Sequence, residues 1–231
     1  GSKLKSIVFN NDTLATVEEY TFASTNIASI SLGQCTEIKE NAFANCVYLE
    51  NISFPKLEKI GASAFEGCSS LNDWMSIPDS VKVIESNAFK SCGFTTVNLS
   101  KLPLLECKGQ STYPDKYDDN STLGLAVFAN NTRLTTVSLA NAGDEKFSFL
   151  PARTFEGCTA LKYVTVHDKL KVIGDNAFEN CSSLKEIDLV NAQYINSEAF
   201  KGCSALSTVT MKYKDLDEKG NERSHIAIMR N

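Results

Sequence analysis

Residues 176–189, "NAFENCSSLKEIDL", decide how the chain is read, because the same phrase recurs along it. Residues 41–54 are "NAFANCVYLENISF", 154–166 are "TFEGCTALKYVTV" and 199–211 are "AFKGCSALSTVTM". Each carries a Phe, then a Cys, then a Leu at intervals of three, and then an alternating apolar pair. Aligned on the triplet Leu-x-x-Ile-x-Leu, nine copies begin at Leu4, Ile27, Leu49, Leu71, Phe94, Leu134, Leu161, Leu184 and Leu206. Successive steps are 23, 22, 22, 23, 40, 27, 23 and 22 residues, and all but the 40-residue step fall in the range of one repeat of roughly 20–29 residues. The Phe keeps the same beat at Phe22, Phe43, Phe65, Phe89, Phe128, Phe155, Phe178 and Phe200.

Each copy reads as one coil of a solenoid. The alternation in "LKEIDL" suits a strand with Ile187 and Leu189 turned inward, and stacked strands of this kind predict a parallel ladder. Two further apolar slots follow, as Leu57 and Ile60 or Leu170 and Ile173. A short A-F-x-x-C turn comes next, and its Phe and Cys share one face if the turn is helical. No single coil buries these side chains alone, so stability has to come from its neighbours. Between Phe and Cys stand Asn45, Gly67, Ser91, Asn130, Gly157, Asn180 and Gly202. Gly and Asn tolerate the left-handed backbone region, so a chain reversal with positive φ is predicted just after each Phe.

The chain resembles the BspA-like leucine-rich repeats, whose unit runs roughly L-x-x-[IV]-x-[IL]-P-x-x-[LV]-x-x-I-G-x-x-A-F-x-x-C. Residues 155–178, "FEGCTALKYVTVHDKLKVIGDNAF", match it nearly slot for slot, and the resemblance spans 4–211. It implies an α/β repeat solenoid: a right-handed leucine-rich superhelix with a parallel strand ladder and short helical or 3-10 A-F-x-x-C turns on the opposite side. Apolar residues such as Leu57 and Val81 stand where the plant and animal consensus has Asn, so no internal Asn ladder is expected. The resemblance further implies a bacterial protein, secreted or attached to the cell surface, that works in adhesion or binding.

Composition agrees with a non-catalytic scaffold. The 231 residues carry a net charge of −5, without a basic cluster, which disfavours nucleic acid and anionic membrane as partners. No apolar run is long enough for a membrane span and no signal peptide is visible. Gly1-Ser2 reads as a cloning remnant, which leaves room for a removed export signal or lipid anchor. A continuous repeat predicts one elongated body over 1–231.

The eight cysteines raise disulfide and metal readings. Cys46, Cys68, Cys92, Cys158, Cys181 and Cys203 occupy the slot after the Phe turn, and Cys35 falls where Leu57 stands in the next repeat. These are inward positions, where Cys acts as a small hydrophobe, and equivalent side chains in stacked coils point the same way, which suits a bridge poorly. No C-x-x-C and no zinc-type Cys/His spacing is present, so neither a metal nor a cofactor is expected. Cys107, inside an insertion, is the candidate reactive thiol. Only His167 and His225 exist, and neither completes a catalytic triad; His167 follows the inward Val166 at a strand end. Glu186 and Asp188 form an acidic pair on one strand face, and without an activating neighbour they read as a solvated binding face.

Two features interrupt the beat. Residues 106–122, "ECKGQSTYPDKYDDNST", hold the extra length of the long step, with Tyr113 and Tyr117 inside it; long polar loops of this kind are often functional. A smaller excess lies near 141–146, after which Phe147 and Leu150 return to the slots of Leu170 and Ile173. The tail reads as a hairpin over about 206–230, turning near Gly220 with "HIAIM" as its return strand, and would cap the open end.

The exposed strand positions are expected to form the binding surface. Most are small and neutral, and such residues are also simply β-favouring. Tyr163, Thr165, Glu186, Asp188, Thr208 and Thr210 stand out as a patch on neighbouring strands. Trp74 and Met75, beside an extra residue before Ile77 that suggests a bulge, form a secondary candidate with Tyr113 and Tyr117. The first functional expectation is a protein partner, either host matrix or bacterial surface protein, bound without catalysis. A carbohydrate surface built on Tyr163, Glu186 and Asp188 or on the insertion is the second, and a hydrolase the third.

Overall fold

The computed structural model describes residues 7, 13–72, 77–102, 105–106, 116, 118, 120–140, 142, 146–216 and 222–230, with side chains described as far as 211 except at 101. Trp74, Met75, Cys107, Tyr113, Tyr117 and the hairpin tip near Gly220 lie outside the described residues. Among the described residues each coil contributes three runs, which with one exception in the first run bond to the same runs of neighbouring coils. No helix among the described residues is long and apolar enough to cross a membrane.

The first run is the ladder expected from L-x-x-I-x-L. Its strands are β2 (Ser29–Ser31), β4 (Asn51–Ser53), β7 (Thr96–Asn98), β8 (Thr136–Ser138), β10 (Tyr163–Thr165), β12 (Glu186–Leu189) and β14 (Thr208–Leu216). The pairs β2 with β4, β7 with β8, β8 with β10 and β12 with β14 are parallel with equivalent residues in register, as Ile30 with Ile52 and Val97 with Val137. The central side chain faces the core while its flanks face outward, the period of two that a strand imposes.

The second run sits at the two additional apolar slots and is a ladder in its own right, which the sequence did not reveal. Its strands have only two residues each: β1 (Thr16–Val17), β3 (Glu37–Ile38), β5 (Lys59–Ile60), β6 (Val83–Ile84), β9 (Phe149–Leu150), β11 (Val172–Ile173) and β13 (Tyr194–Ile195). So short a segment shows no periodicity to read. Phe147 and Leu150 are fully buried, and β9 pairs with β11, which fits the slots assigned to them. Leu123 takes the same slot beyond the insertion, bridging to Ile84. Glu106 and Thr122 close the neck of that insertion, the Thr122 N–H reaching the Glu106 carbonyl at 2.7 Å.

The third run is the A-F-x-x-C turn, and here the expected helical turns are corrected. The N–H groups of Asn41, Phe43 and Asn45 donate to Ala62, Ala64 and Glu66 carbonyls of the next coil at 3.0, 2.8 and 2.7 Å. Within the turn, Ala44 and Cys46 N–H groups reach back three residues to Asn41 and Phe43 carbonyls, both at 3.1 Å. A helix cannot continue, because both Asn41 (φ 55°) and Asn45 (φ 59°) are left-handed. Among the described residues helix is confined to a 3-10 turn at Leu99–Lys101 and a 3-10 residue at Lys146. All seven positions predicted to have positive φ do so, with values from 57 to 77°. A second left-handed site, two residues before each Phe, went unseen because its occupants include Arg153, Glu198 and Ala126, types that give no warning of it.

The core lies between the three runs. Phe43, Phe65 and Phe89 stack with ring centroids 5.2 and 5.3 Å apart and planes within 3°, and the column extends through Phe128, Phe155 and Phe178 to Phe200. The seven described cysteines are buried and free. Six of them are more than small hydrophobes, because each thiol donates to the carbonyl of the preceding coil's Phe. Cys46 reaches Phe22 at 2.9 Å, Cys68 reaches Phe43 at 3.1 Å and Cys203 reaches Phe178 at 3.0 Å. In the coil of Phe128 the slot holds Asn131, whose Nδ2 donates to the Phe89 carbonyl at 2.9 Å. Left-handed positions also interlock. A Cβ placed on Gly67, Gly157 or Gly202 would lie 2.5, 2.2 and 2.2 Å from the Oδ1 of Asn45, Asn130 and Asn180 respectively, so each of these Asn side chains fills the space of a missing Cβ one coil on.

β14 runs on past β12 into an antiparallel hairpin with β15 (Glu222–Arg230), so the hairpin extends the first ladder. Its Thr208 to Met211 segment pairs with Glu186 to Leu189.

Candidate functional site

The ladder of first-run strands is interrupted once within fully described sequence, between β10 and β12. On the step below, the Thr135 carbonyl accepts from the N–H groups of Lys162 and Tyr163 at 2.9 and 3.1 Å. On the step above, the Lys185 carbonyl accepts from Ser207 and Thr208 at 2.9 and 3.3 Å. Among the described residues no backbone pairing joins β10 to β12 themselves. The same two coils stay closed elsewhere: β11 pairs with β13, and Asn176, Phe178 and Asn180 N–H groups all reach the next coil at 3.0 Å or less. The molecule is therefore parted along one face and held along the other two.

One extra residue explains the parting. In the coil of β4 the turn closes from Leu57 N–H to the Phe54 carbonyl at 3.0 Å, and in that of β12 from Ala192 to Leu189 at 2.9 Å. In the coil of β10 the matching bond runs from Leu170 to His167 at 3.1 Å. His167 therefore takes the core slot of Phe54 and Leu189 and is 4% exposed. This corrects the reading that gave the slot to Val166. Val164 and Val166 are only half-buried, as expected of a bulge that twists the strand off its partner. The His167 Nδ1 accepts from the Lys169 N–H at 2.8 Å and lies 3.2 Å from the Asp168 Oδ1, while its Nε2 is a buried atom without a protein partner.

Over the split lies an open groove of about 400 Å³. All six first-choice candidates line it: Tyr163, Thr165, Glu186, Asp188, Thr208 and Thr210, with Val164 and Ile187 beneath and Lys162 at the rim. A second depression of about 350 Å³ shares Val164, Thr165 and Asp188 and continues to His167 and Asp168. Tyr163 is 65% exposed. Glu186 and Asp188 project from the same face, opposite Thr208 and Thr210 on β14. The Asp188 Oδ1 accepts from the Val190 N–H at 3.1 Å, which orients its carboxylate. β10 and β12 remain neighbouring strands though unpaired, so Tyr163 stands on one bank of the parting and the carboxylates on the other. Sequence spacing pointed to the residues but not to the gap, whose signal was the nine residues from Leu161 to Leu170 against eight from Leu49 to Leu57.

Acid–base chemistry finds no support in this geometry. The buried His167 is occupied by its own loop, and among the described residues no group of three or more His, Cys, Asp and Glu is placed to hold a metal ion. Burial pushes the thiols up, Cys158 to about 12 and Cys203 to about 11, so they stay protonated near neutral pH.

Among solved structures, the chain is similar to the leucine-rich repeat protein of T. pallidum, with 23% identity, 79% of this chain and 78% of that one covered, and a TM-score of 0.60. A leucine-rich repeat protein from Bacteroides ovatus matches at 24% identity over 89% of this chain, with a TM-score of 0.47; the present chain spans 60% of its length. A leucine rich cell surface protein from Faecalibacterium prausnitzii matches at 19% identity, covering 90% of this chain and 67% of that one, with a TM-score of 0.44. Comparison with curated proteins finds no match. The family described as BspA type leucine rich repeat region (6 copies) matches residues 1–96 and 110–222. With its coils, ladders and Phe-Cys turns thus accounted for, the chain belongs to the BspA-type leucine-rich repeat family.

Proposed function

We propose that this chain is a non-enzymatic binding module of a secreted or surface-attached bacterial protein, and that its exposed first-run strands take a protein partner around Tyr163, Glu186 and Asp188. The observation that carries the reading is an exposed aromatic side chain facing two carboxylates across a groove, on a framework whose other faces are bonded shut. Rigid aromatic side chains at the centre of a patch often dominate binding energy. A family of repeat proteins, and a relative described as a cell surface protein, support the surface setting.

The test is a binding screen over matrix proteins, bacterial surface proteins and soluble glycans. With the partner found, Tyr163→Ala or Glu186→Ala is expected to weaken binding about tenfold or more with the melting temperature unchanged, while Lys201→Ala on the turn side leaves it intact. Binding that disappears on deletion of 108–120 and survives both substitutions assigns the site to the insertion instead. Competition by free sugar would replace the protein partner with a glycan, for which Tyr163 and the carboxylates offer a stacking face and acceptors.

A further inference from the structure

We infer, resting on the protein-binding reading above, that the split between β10 and β12 is a receptor for an extended partner segment that lays an arginine or lysine side chain into the groove over it. The flanking steps show which backbone groups the split leaves over. The Lys162 carbonyl stands where the Thr135 and Lys185 carbonyls each accept two N–H groups, and the N–H groups of Lys185 and Glu186 stand where Ser207 and Thr208 donate. At the far end, Leu139 N–H donates to the Thr165 carbonyl at 2.8 Å. Its counterpart would run from Val166 to Asp188, and the bulge removes it. An open strand edge is a template for another chain.

Width decides what can enter. β10 and β12 remain neighbours with Cα atoms within 8 Å, whereas a whole inserted strand needs about 9.5 Å, two ladder spacings. A partner's main chain therefore lies over the mouth, and a long side chain lies along the groove above Val164 and Ile187. Charge selects its sign. Glu186 and Asp188 on one bank, with Asp168 at the continuing end, outnumber the Lys162 ammonium at the rim. A basic side chain lays its methylenes on Val164 and Ile187 and keeps its head among carboxylates. Arginine suits the place better than lysine, since its planar fork serves carboxylate and carbonyl acceptors together and stacks on an exposed ring such as Tyr163.

The probe is a labelled peptide, Thr-Val-Thr-Arg-Thr-Val-Thr, titrated with the intact protein at low salt and followed by fluorescence anisotropy. It is compared with the same peptide carrying neutral citrulline for Arg. The Arg peptide is expected to bind at least tenfold more tightly, and Glu186→Gln with Asp188→Asn is expected to remove that preference without moving the melting temperature. Deletion of Val166 combined with His167→Leu restores the length of the neighbouring coils and closes the ladder, and should abolish peptide binding in a protein that melts no lower. Equal binding of both peptides, binding of neither, or full binding by the folded closed-ladder variant would overturn the inference. None of those results touches the binding-module reading, which is judged on whole partners with Tyr163→Ala.

Discussion

The left-handed residue after each Phe bears two constraints at once. Gly157 needs φ of 71°, and the space its Cβ would occupy is filled by the Asn130 Oδ1 of the preceding coil. Gly157→Ala is expected to cost about 2 kcal/mol, most of it the left-handed penalty on a residue with a Cβ and the remainder the collision with Asn130. The two parts separate in a double-mutant cycle: Asn130→Gly should recover the collision and leave the backbone cost, giving a coupling of about 0.5 kcal/mol or more by urea denaturation. Strictly additive losses would mean that Asn130 simply swings away. The neighbouring slot shows how closely one position is specified. Asn131 does the donor work of a Cys, yet its Oδ1 is buried without a protein partner. The carbonyl it serves wants only a donor, and a thiol supplies one without bringing an acceptor along.

At the scale of the element, the Phe column carries the most apolar burial per coil. Phe178 is fully buried between Phe155 and Phe200, with centroids 5.6 and 5.4 Å away. Phe178→Ala is expected to remove about 3–5 kcal/mol, with amide exchange accelerating in both adjoining coils because they share its contacts. A melting temperature within a degree of wild type would refute a load shared in this way. The column, the first ladder and the inward thiols were legible because each depends on a side chain recurring at fixed spacing. The second ladder was not, since Lys59–Ile60 and its counterparts hold their place through backbone bonds that any residue could make. The turns were misread as helical for a related reason: Phe and Cys three apart fit one helical face, but left-handed Asn41 and Asn45 divert the N–H groups to the neighbouring coil. The candidate site was legible as a set of residues on strand faces. The parting that gives them a groove arises from one added residue ahead of His167, which shifts which side chain faces the core while leaving the apolar pattern almost unchanged.

Over the whole molecule, the thiol column ties stability to alkaline pH. Burial raises the thiols of Cys46, Cys68, Cys92, Cys158, Cys181 and Cys203 above the ordinary value, whereas in the unfolded chain they ionise near pH ~8.5. Between those limits the unfolded chain sheds protons that the folded one keeps. The thiols' contribution to stability is therefore flat below about pH 8 and falls as pH rises past about 9, by up to about 1.4 kcal/mol per pH unit for each fully buried thiol. Urea midpoints at pH 7.5, 9 and 10 should descend steeply over the last interval, and less steeply in Cys181→Ala; a midpoint independent of pH would show that the thiols are reached by solvent. The Asn side chains that fill the space beside Gly67, Gly157 and Gly202 bear on how such a chain can lengthen or shorten. Excising the single coil Phe155 to Ala177 would set Asn180 upon Asn130, two side chains competing for one space. Excising Phe155 to Ala199 would set Gly202 there and preserve the fit. Along that stretch the array counts in twos, and a gain or loss of coils is tolerated by parity rather than by number.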